Sequence, residues 1–346
     1  MESALERILD RAVRAPSGDN VQPWTFKRTG ASTIEIYNST ASDSSLFNYE
    51  QIASLLSIGC LLENLRLAAG AEGIGSSINL LIASSSSPLV ARVHFHGEVS
   101  PGALHAQIED RCTNRRPYDA AALSAEDIAR IREVHSEEGA RIVVAEDADK
   151  DTIVSASAAN EQVVLENRSM HDSFFKHITW TDQEDRAQPG FFVNTLELNP
   201  VERFVFRLYR QWSWAKFLNA VGFAAFISRE NAKRYRTASA AACILIDATH
   251  PRNYVRAGMT LQRVWLTASS MNLASQPLAG VCILGRYARE TDAAALSREH
   301  RTLLTNAYET IARTLRADNE SIAIILRIGS APRPSARTRR ADIAIE

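Results

Sequence analysis

Two stretches of this chain, SIGCLLENLRLAAGAEGIGSSI (57–78) and AGMTLQRVWLTASSMNLASQP (257–277), align in a single frame without a gap. Setting Gly59 on Gly258 also sets Leu62 on Leu261, Glu63 on Gln262, Leu67 on Leu266, Ala69 on Ala268, Ile74 on Leu273 and Ser76 on Ser275. The match runs through a helical pattern and into the turn after it. An internal repeat of this kind predicts two like half-units. In the first copy, residues 50–71 are apolar nearly all round, with Ala53, Ser57, Gly59 and Cys60 as small residues among them. Such a helix packs on several sides.

The flanking patterns extend the two scaffolds. Leu5, Ile8, Leu9 and Ala12 fall at helical spacing, and Pro16, Ser17 and Gly18 end that helix. WTFKR (24–28) and TIEIYN (33–38) predict a hairpin turned at Gly30, and SINLLIA (77–83) and ARVHFHG (91–97) predict two more strands around a turn at 84–88. The second copy has a first helix at 123–135, capped by Ser124 with Asp127 three residues on. Its strands are ARIVVAE (140–146) and AACILIDA (241–248). The expected units are residues 1–109 and 110–346. An aromatic-rich insertion from about 160 to 236 has no counterpart in the first half. It predicts two or three helices and loops over the scaffold, as core packing, as a lid, or as both. Tyr209, Trp212 and Trp214 are candidate substrate contacts there, with a core role weighed equally.

With 346 residues, 45% of them hydrophobic, the chain can bury a substantial core. Its 39 basic and 40 acidic residues give a formal charge of −1, so no long-range field points to nucleic acid or a membrane, and any anion site must be local. Cys60, Cys112, Cys243 and Cys282 are widely spaced, which argues against a zinc knuckle or a disulfide framework. The first residues lack the pattern of a signal peptide, and the apolar run from Phe217 to Ile227 is too short to span a bilayer. A cytoplasmic location is expected. His94 and His96 share a strand face without a third ligand, so no metal is expected. GAEGIG (70–75) follows a helix rather than a strand, which makes it a helix end and not a phosphate loop.

Four segments carry the chemistry. RAPSGDNVQPWTFKR (14–28) is far richer in special residues than a turn requires. RCTNRRPYD (111–119) sets Arg111, Thr113 and Arg115 at alternate positions, on one face of an extended segment. SQPLAGV (275–281) is the third of these segments. RIGSAPRPSARTRR (327–340) ends the last strand in a basic tail, where Arg337 and Arg339 repeat the alternate spacing. Nothing equivalent to the first segment occurs in the second repeat.

Together, in this order, these segments resemble those of the FMN-dependent nitroreductase family: A-P-S-x-x-N-x-Q-P-W after the first helix, R-x-[ST]-x-R, a small loop beside the flavin, and a basic tail. The duplication and insertion resemble the Acg-type subgroup, in which two half-units form an intrachain pseudodimer. The resemblance implies an α+β, nitroreductase-like fold with a central, mostly antiparallel sheet and a helical insertion. It also implies an FMN site. Ser17, Asp19, Asn20 and Gln22 would bond ribityl and ring-edge atoms, with Pro23 fixing the exit to the strand. Arg111, Cys112, Thr113, Arg115, Arg337 and Arg339 would hold the phosphate, which suits paired guanidinium donors. Gln276, Pro277, Leu278, Ala279 and Gly280 would line the flavin edge, with a backbone N–H of Ala279 or Gly280 near N5. The family often has a carboxylate at the position of Ala279, so only the backbone role carries over, and no catalytic side chain is assigned.

Because the first loop lies in one half and the other segments in the other, a single chain can complete one site. The reciprocal site lacks an R-x-[ST]-x-R before residue 5 and a proline at Ile78, which predicts one FMN per chain and leaves further dimerisation open. The implied activity is an NAD(P)H-driven, two-step reduction of nitroaromatic, quinone or similar electron-poor molecules. The alternatives are an FMN-sequestering protein with little turnover and a flavin-dependent biosynthetic dehydrogenase.

Overall fold

The computed structural model describes residues 2–40, 43–188 and 190–345. The first half runs α1 (Glu2–Ala12), β1 (Trp24–Gly30), β2 (Thr33–Asn38), α2 (Ile52–Ala71), β3 (Ile74–Leu80) and β4 (Leu89–Glu98). Its strands form an antiparallel sheet in the order β1-β2-β4-β3. The second half begins with α3 (Ala125–Arg132) and β5 (Ala140–Ala145). After the insertion it resumes with β8 (Ala240–Ile246), α11 (Arg252–Ser270), β9 (Ala274–Leu278), α12 (Gly280–Arg289), α13 (Arg298–Leu315) and β10 (Ser321–Gly329). These strands are antiparallel too, in the order β5-β8-β10-β9. Taken in chain order, both sheets read first, second, fourth, third. In both, one helix precedes the first strand and a long helix joins the second strand to the third.

The long helices α2 and α11 cross at their aligned glycines. A Cβ on Gly59 would stand 2.0 Å from the carbonyl oxygen of Val255, and one on Gly258 would stand 2.1 Å from that of Leu56. Glycine is required at both positions because backbone meets backbone. The polar contacts next to the crossing are reciprocal in the alignment frame. Glu63 accepts from Arg263 Nη2 (2.8 Å), and Asn64 accepts from the amide of Gln262 (2.7 Å). In the alignment frame, residue 63 therefore meets the counterpart of 64, and 64 meets the counterpart of 63.

The two sheets differ in how they are covered. In β8 every residue is buried: Ala242, Ile244 and Ile246 join the core around α2 and α11, while Ala241, Cys243 and Leu245 join the core of α4 (Asp147–Ser157), α12 and α13. A strand with helices on both faces is a continuous apolar run for this reason. On β4 only one face is buried, with Val93 and Phe95 inside. His94 and His96 stand on its exposed side, bonded to Thr33 (3.2 Å) and Ser77 (2.7 Å).

More than two or three helices lie between β5 and β8, and the first of them is α4. The chain continues through α5 (Ala159–Glu166), α6 (Arg168–Lys176), β6 (Ile178–Thr179), α7 (Asp182–Ala187), β7 (Phe191–Phe192), α8 (Pro200–Tyr209), α9 (Trp212–Ala220) and α10 (Phe223–Arg236). Most of these helices are short, and three have a side-chain N-cap, among them α8 with its Asn199 and Glu202 capping box, so aromatic density gives little sign of their number. Two other expectations change. Residues 275–278 lie in edge strand β9 instead of a loop, with Pro277 opposite Leu326, where an edge tolerates proline. The helical stretch Leu46–Ala71 is long and apolar enough to cross a membrane, but 89% of its apolar window is buried inside the protein. It is the core helix of this fold.

Candidate functional site

Between α1 and β1 the chain passes through three non-glycine residues in the left-handed region: Asp19 (φ 45°), Asn20 (φ 58°) and Gln22 (φ 53°). Each costs about 1 kcal/mol or more, so surrounding contacts must impose the shape. Ser17 Oγ accepts from the Gln22 N–H (3.0 Å), and the C-terminal tail supplies the rest. Asn20 donates to the Arg339 carbonyl (2.8 Å), Arg340 donates to Asn20 Oδ1 (2.8 Å), and the Ala341 N–H donates to Gln22 Oε1 (3.0 Å). Arg340 also donates to the carbonyls of Val13 (2.9 Å), Arg14 (3.2 Å) and Ala15 (3.0 Å). Loop and tail form one unit.

That unit closes one side of a cleft of about 320 Å³, at the small end of the roughly 300–1,000 Å³ usual for small-molecule sites. From the loop come Ser17, Asp19 and Asn20; from the segment after β4 come Arg111, Cys112, Thr113 and Arg115. Pro277 and Ala279 contribute from β9 and the start of α12, and Arg337, Thr338 and Arg340 from the tail. The two crossing helices add Leu56, Ser57 and Cys60 from α2 and Leu261 and Trp265 from α11. Phe191 and Thr195 are the insertion's share of the wall. Segments from both halves thus meet at one place.

Positive charge dominates the cleft. Arg111 is 6% exposed, donates to the Arg14 carbonyl (2.8 Å) and stacks over Trp265 with 4.5 Å to the ring centre, yet its buried Nε has no partner. Arg14 Nε is buried without a hydrogen bond and lies 3.7 Å from the Glu109 carboxylate, its ion-pair partner. Burial pushes the Arg111 guanidinium down to about 10 and that of Arg340 to about 9. Arg115 occupies another part of the wall, stacked over Phe191 at 4.5 Å and donating to the Thr195 carbonyl (3.3 Å); burial lowers it to about 10. An entering anion would relieve this desolvation. Arg337 instead spends its donors on the carbonyls of Glu109 (2.6 Å) and Asp110 (2.9 Å). Cys60 bonds to the Gly258 carbonyl and burial raises its thiol to about 12, so it is inert.

Burial raises the Asp19 carboxyl; nearby Asp43 adds to this, while His177 and Arg115 partly oppose it. The folded protein therefore holds this proton to higher pH than the unfolded chain, and stability falls as pH rises through the folded value. Asp19→Asn removes the penalty and keeps a residue that tolerates positive φ. A higher melting temperature than wild type is expected at about pH 8, with the gain shrinking toward about pH 4. Thermal denaturation at both pH values checks it, and a constant gain would count against the assignment.

Several expected residues lie away from the cleft wall. Gln22 faces the tail, and Pro23 is buried beneath the loop. Gln276 accepts from the fully buried Arg327 (2.9 Å), and Leu278 belongs to the second core. A Cβ on Gly280 would meet the Asn160 amide at 2.3 Å. Arg339 is exposed and turns toward Asp185 (3.8 Å), leaving Arg340 in the position expected of it. Past Gly329 the tail is not a strand, so alternate spacing no longer assigns a face. Tyr209 is buried with its hydroxyl on Asn219 (2.9 Å), Trp212 packs against His171, and Trp214 is exposed. None of these three lines the cleft. Trp265 and Cys60 join the wall unpredicted, and their place within the aligned repeat is the one sequence signal they carry.

No family model matches the chain. It is 25% identical over 342 residues to the uncharacterized protein MT1398 of Mycobacterium tuberculosis, covering 97% of this chain and 47% of that protein. The chain thus spans about half the length of the curated relative it matches. Among solved structures it is similar to the FMN-dependent nitroreductase NfnB of Mycobacterium smegmatis, in complex with NADPH (13% identity, 68% of this chain, 92% of that one, TM-score 0.38). Another is a nitroreductase with bound FMN from Bacteroides fragilis (11% identity, 70% and 95%, TM-score 0.36). At such TM-scores the likeness carries no argument about this chain.

Proposed function

We propose that the cleft binds one FMN per chain and that the protein is an FMN-dependent oxidoreductase. The convergence of four distant segments on one positively charged cleft carries this reading. The residues present fit the group: the buried Nε of Arg111 has no partner and is free to donate to an anion, and the cleft's guanidiniums gain from a phosphate. Arg111 would donate to the phosphate end, while Arg14, Arg337 and Arg340 would add positive charge around it, Arg337 and Arg340 with their donors kept on protein acceptors. Ser17, Asp19, Asn20 and Thr113 would serve the polar chain, while Pro277, Ala279 and Arg115 would border the ring. Bound FMN would supply reversible two-electron chemistry between NAD(P)H and an electron-poor acceptor such as a nitroaromatic or a quinone. The chain's own contribution is to hold, orient and shield the cofactor. Ala279 at the start of α12 adds the positive end of a helix dipole.

We further infer that residues 1–109 and 110–346 are duplicated half-units forming an intrachain pseudodimer. Support comes from the common strand order, the gap-free alignment and the reciprocal contacts at Gly59 and Gly258. The four free cysteines suit a reducing cytoplasm. A second reading, sequestration of FMN without turnover, draws on Phe191, Thr195 and the tail, which wall the cleft from outside the scaffold. Anaerobic addition of NADH or NADPH separates the two. The flavin absorbance at about 450 nm is expected to bleach. A bound flavin that does not bleach would favour sequestration, and a protein that neither retains nor rebinds FMN would overturn the cofactor assignment.

A further inference from the structure

Eight large apolar side chains stand exposed among the described residues, and six fall between residues 201 and 226. Val201 and Phe204 are one helical turn apart on α8; Trp214 and Phe217 are one turn apart on α9; Val221 follows α9, and Phe226 is on α10. Phe204, Phe217 and Val221 are 62%, 61% and 70% exposed, so these are not partly covered core residues. The three helices turn other residues inward: Tyr209, Ala215 and Ala224 are buried together in the insertion's own core. Each helix is therefore two-sided, with one apolar side in use and one without a partner.

The same segment is strongly basic. Residues 200–236 hold eight Lys and Arg against two Glu, a net +6 in a chain of net −1. Both glutamates are already taken, Glu202 by Arg234 and Glu230 by Lys233. Arg207, Arg210 and Lys216 are exposed, and no carboxylate pairs with them among the described residues. The combination of protruding Phe and Trp side chains with uncompensated Lys and Arg fits the interface of an anionic bilayer, which accepts aromatic knobs without a matching pocket and neutralises the charges at its headgroups. A second copy of this surface would bring the unpaired Arg207, Arg210 and Lys216 against their own kind. An acidic protein would have to provide pockets for scattered aromatic side chains on three separate helices.

We propose that the α8–α10 face docks the protein peripherally on anionic lipid membranes. The near-neutral overall charge gives no sign of a membrane partner because the positive charge is concentrated in 37 of the 346 residues. None of these exposed side chains lines the cleft, and the proposal does not depend on the cofactor assignment.

Vesicle flotation of the full chain tests it. The protein should float with mixed phosphatidylglycerol and phosphatidylcholine vesicles at about 0.1 M salt, be largely released at about 0.5 M, and not float with phosphatidylcholine alone. Phe204→Ser with Phe217→Ser should weaken partitioning about tenfold or more at an unchanged melting temperature, since both side chains are exposed. Phe226→Ser is a second, independent variant on another helix. No flotation, equal flotation with phosphatidylcholine, or undiminished flotation of all these variants would overturn the proposal. So would a concentration-dependent dimer, or a purified acidic protein complex, that the double variant abolishes while flotation persists.

Discussion

Replacing Gly258 by alanine is expected to destabilise the protein by at least ~3 kcal/mol, beyond the usual cost of overpacking, because the new methyl has no side chain to push aside. Its Cβ would lie 2.1 Å from the Leu56 carbonyl oxygen and 2.9 Å from the Gly59 Cα, both backbone atoms of a helix held on all sides. Relief requires α2 and α11 to separate, and that opens the core shared by both sheets. Gly59→Ala should do the same, with 2.0 Å to the Val255 carbonyl. Gly70→Ala in the same helix is the control: its Cβ would find Val99 at 3.9 Å, ordinary contact, so alanine should be neutral or gain up to about 1 kcal/mol from helix propensity. Urea denaturation of the three variants checks this. A Gly258→Ala protein as stable as Gly70→Ala would mean that the helices are not in glycine-to-glycine contact.

The crossing shows how far the sequence can be read. The gap-free alignment by itself sets Gly59 on Gly258, and the hairpin at Gly30, the Ser124 cap and the helix end near Gly73 follow from local rules that the structure obeys. What the sequence leaves open is which like residues touch: the alignment frame gives equivalence, and only packing reveals that equivalents face each other. The insertion is opaque for a different reason. Most of its helices are short, three carry side-chain caps, and many inward contacts go to a small separate core, so neither periodicity nor composition announces their number. At the cleft, the residues on the loop and on 111–115 are legible because motif and spacing agree. Alternate spacing favours Arg339 over Arg340 only in an extended strand, and the tail is not one. Phe191 and Thr195 carry no signal, since they enter the wall only through the fold of the insertion.

That one-residue difference in the tail leads to the second large effect. Arg111→Ala is expected to weaken FMN binding about 10- to 100-fold, the loss of a charge-assisted hydrogen bond worth about 1.5–3 kcal/mol in a desolvated site. Arg340→Lys should fall in the same direction, because lysine keeps the charge but cannot reach Val13, Arg14, Ala15 and Asn20 with one planar group, and the loop then loosens. Arg339→Ala should stay within about threefold of wild type, since its exposed side chain faces Asp185 outside the cleft. Riboflavin, which lacks the phosphate, gives the second reading of each variant. If Arg111 holds the phosphate, its removal should cost FMN affinity and leave riboflavin affinity nearly unchanged, whereas a collapsed cleft would weaken both. Flavin fluorescence titration measures all of these, with melting temperatures confirming that each variant folds. Equal losses for FMN and riboflavin in Arg111→Ala, or a loss in Arg339→Ala as large as in Arg111→Ala, would place the phosphate elsewhere.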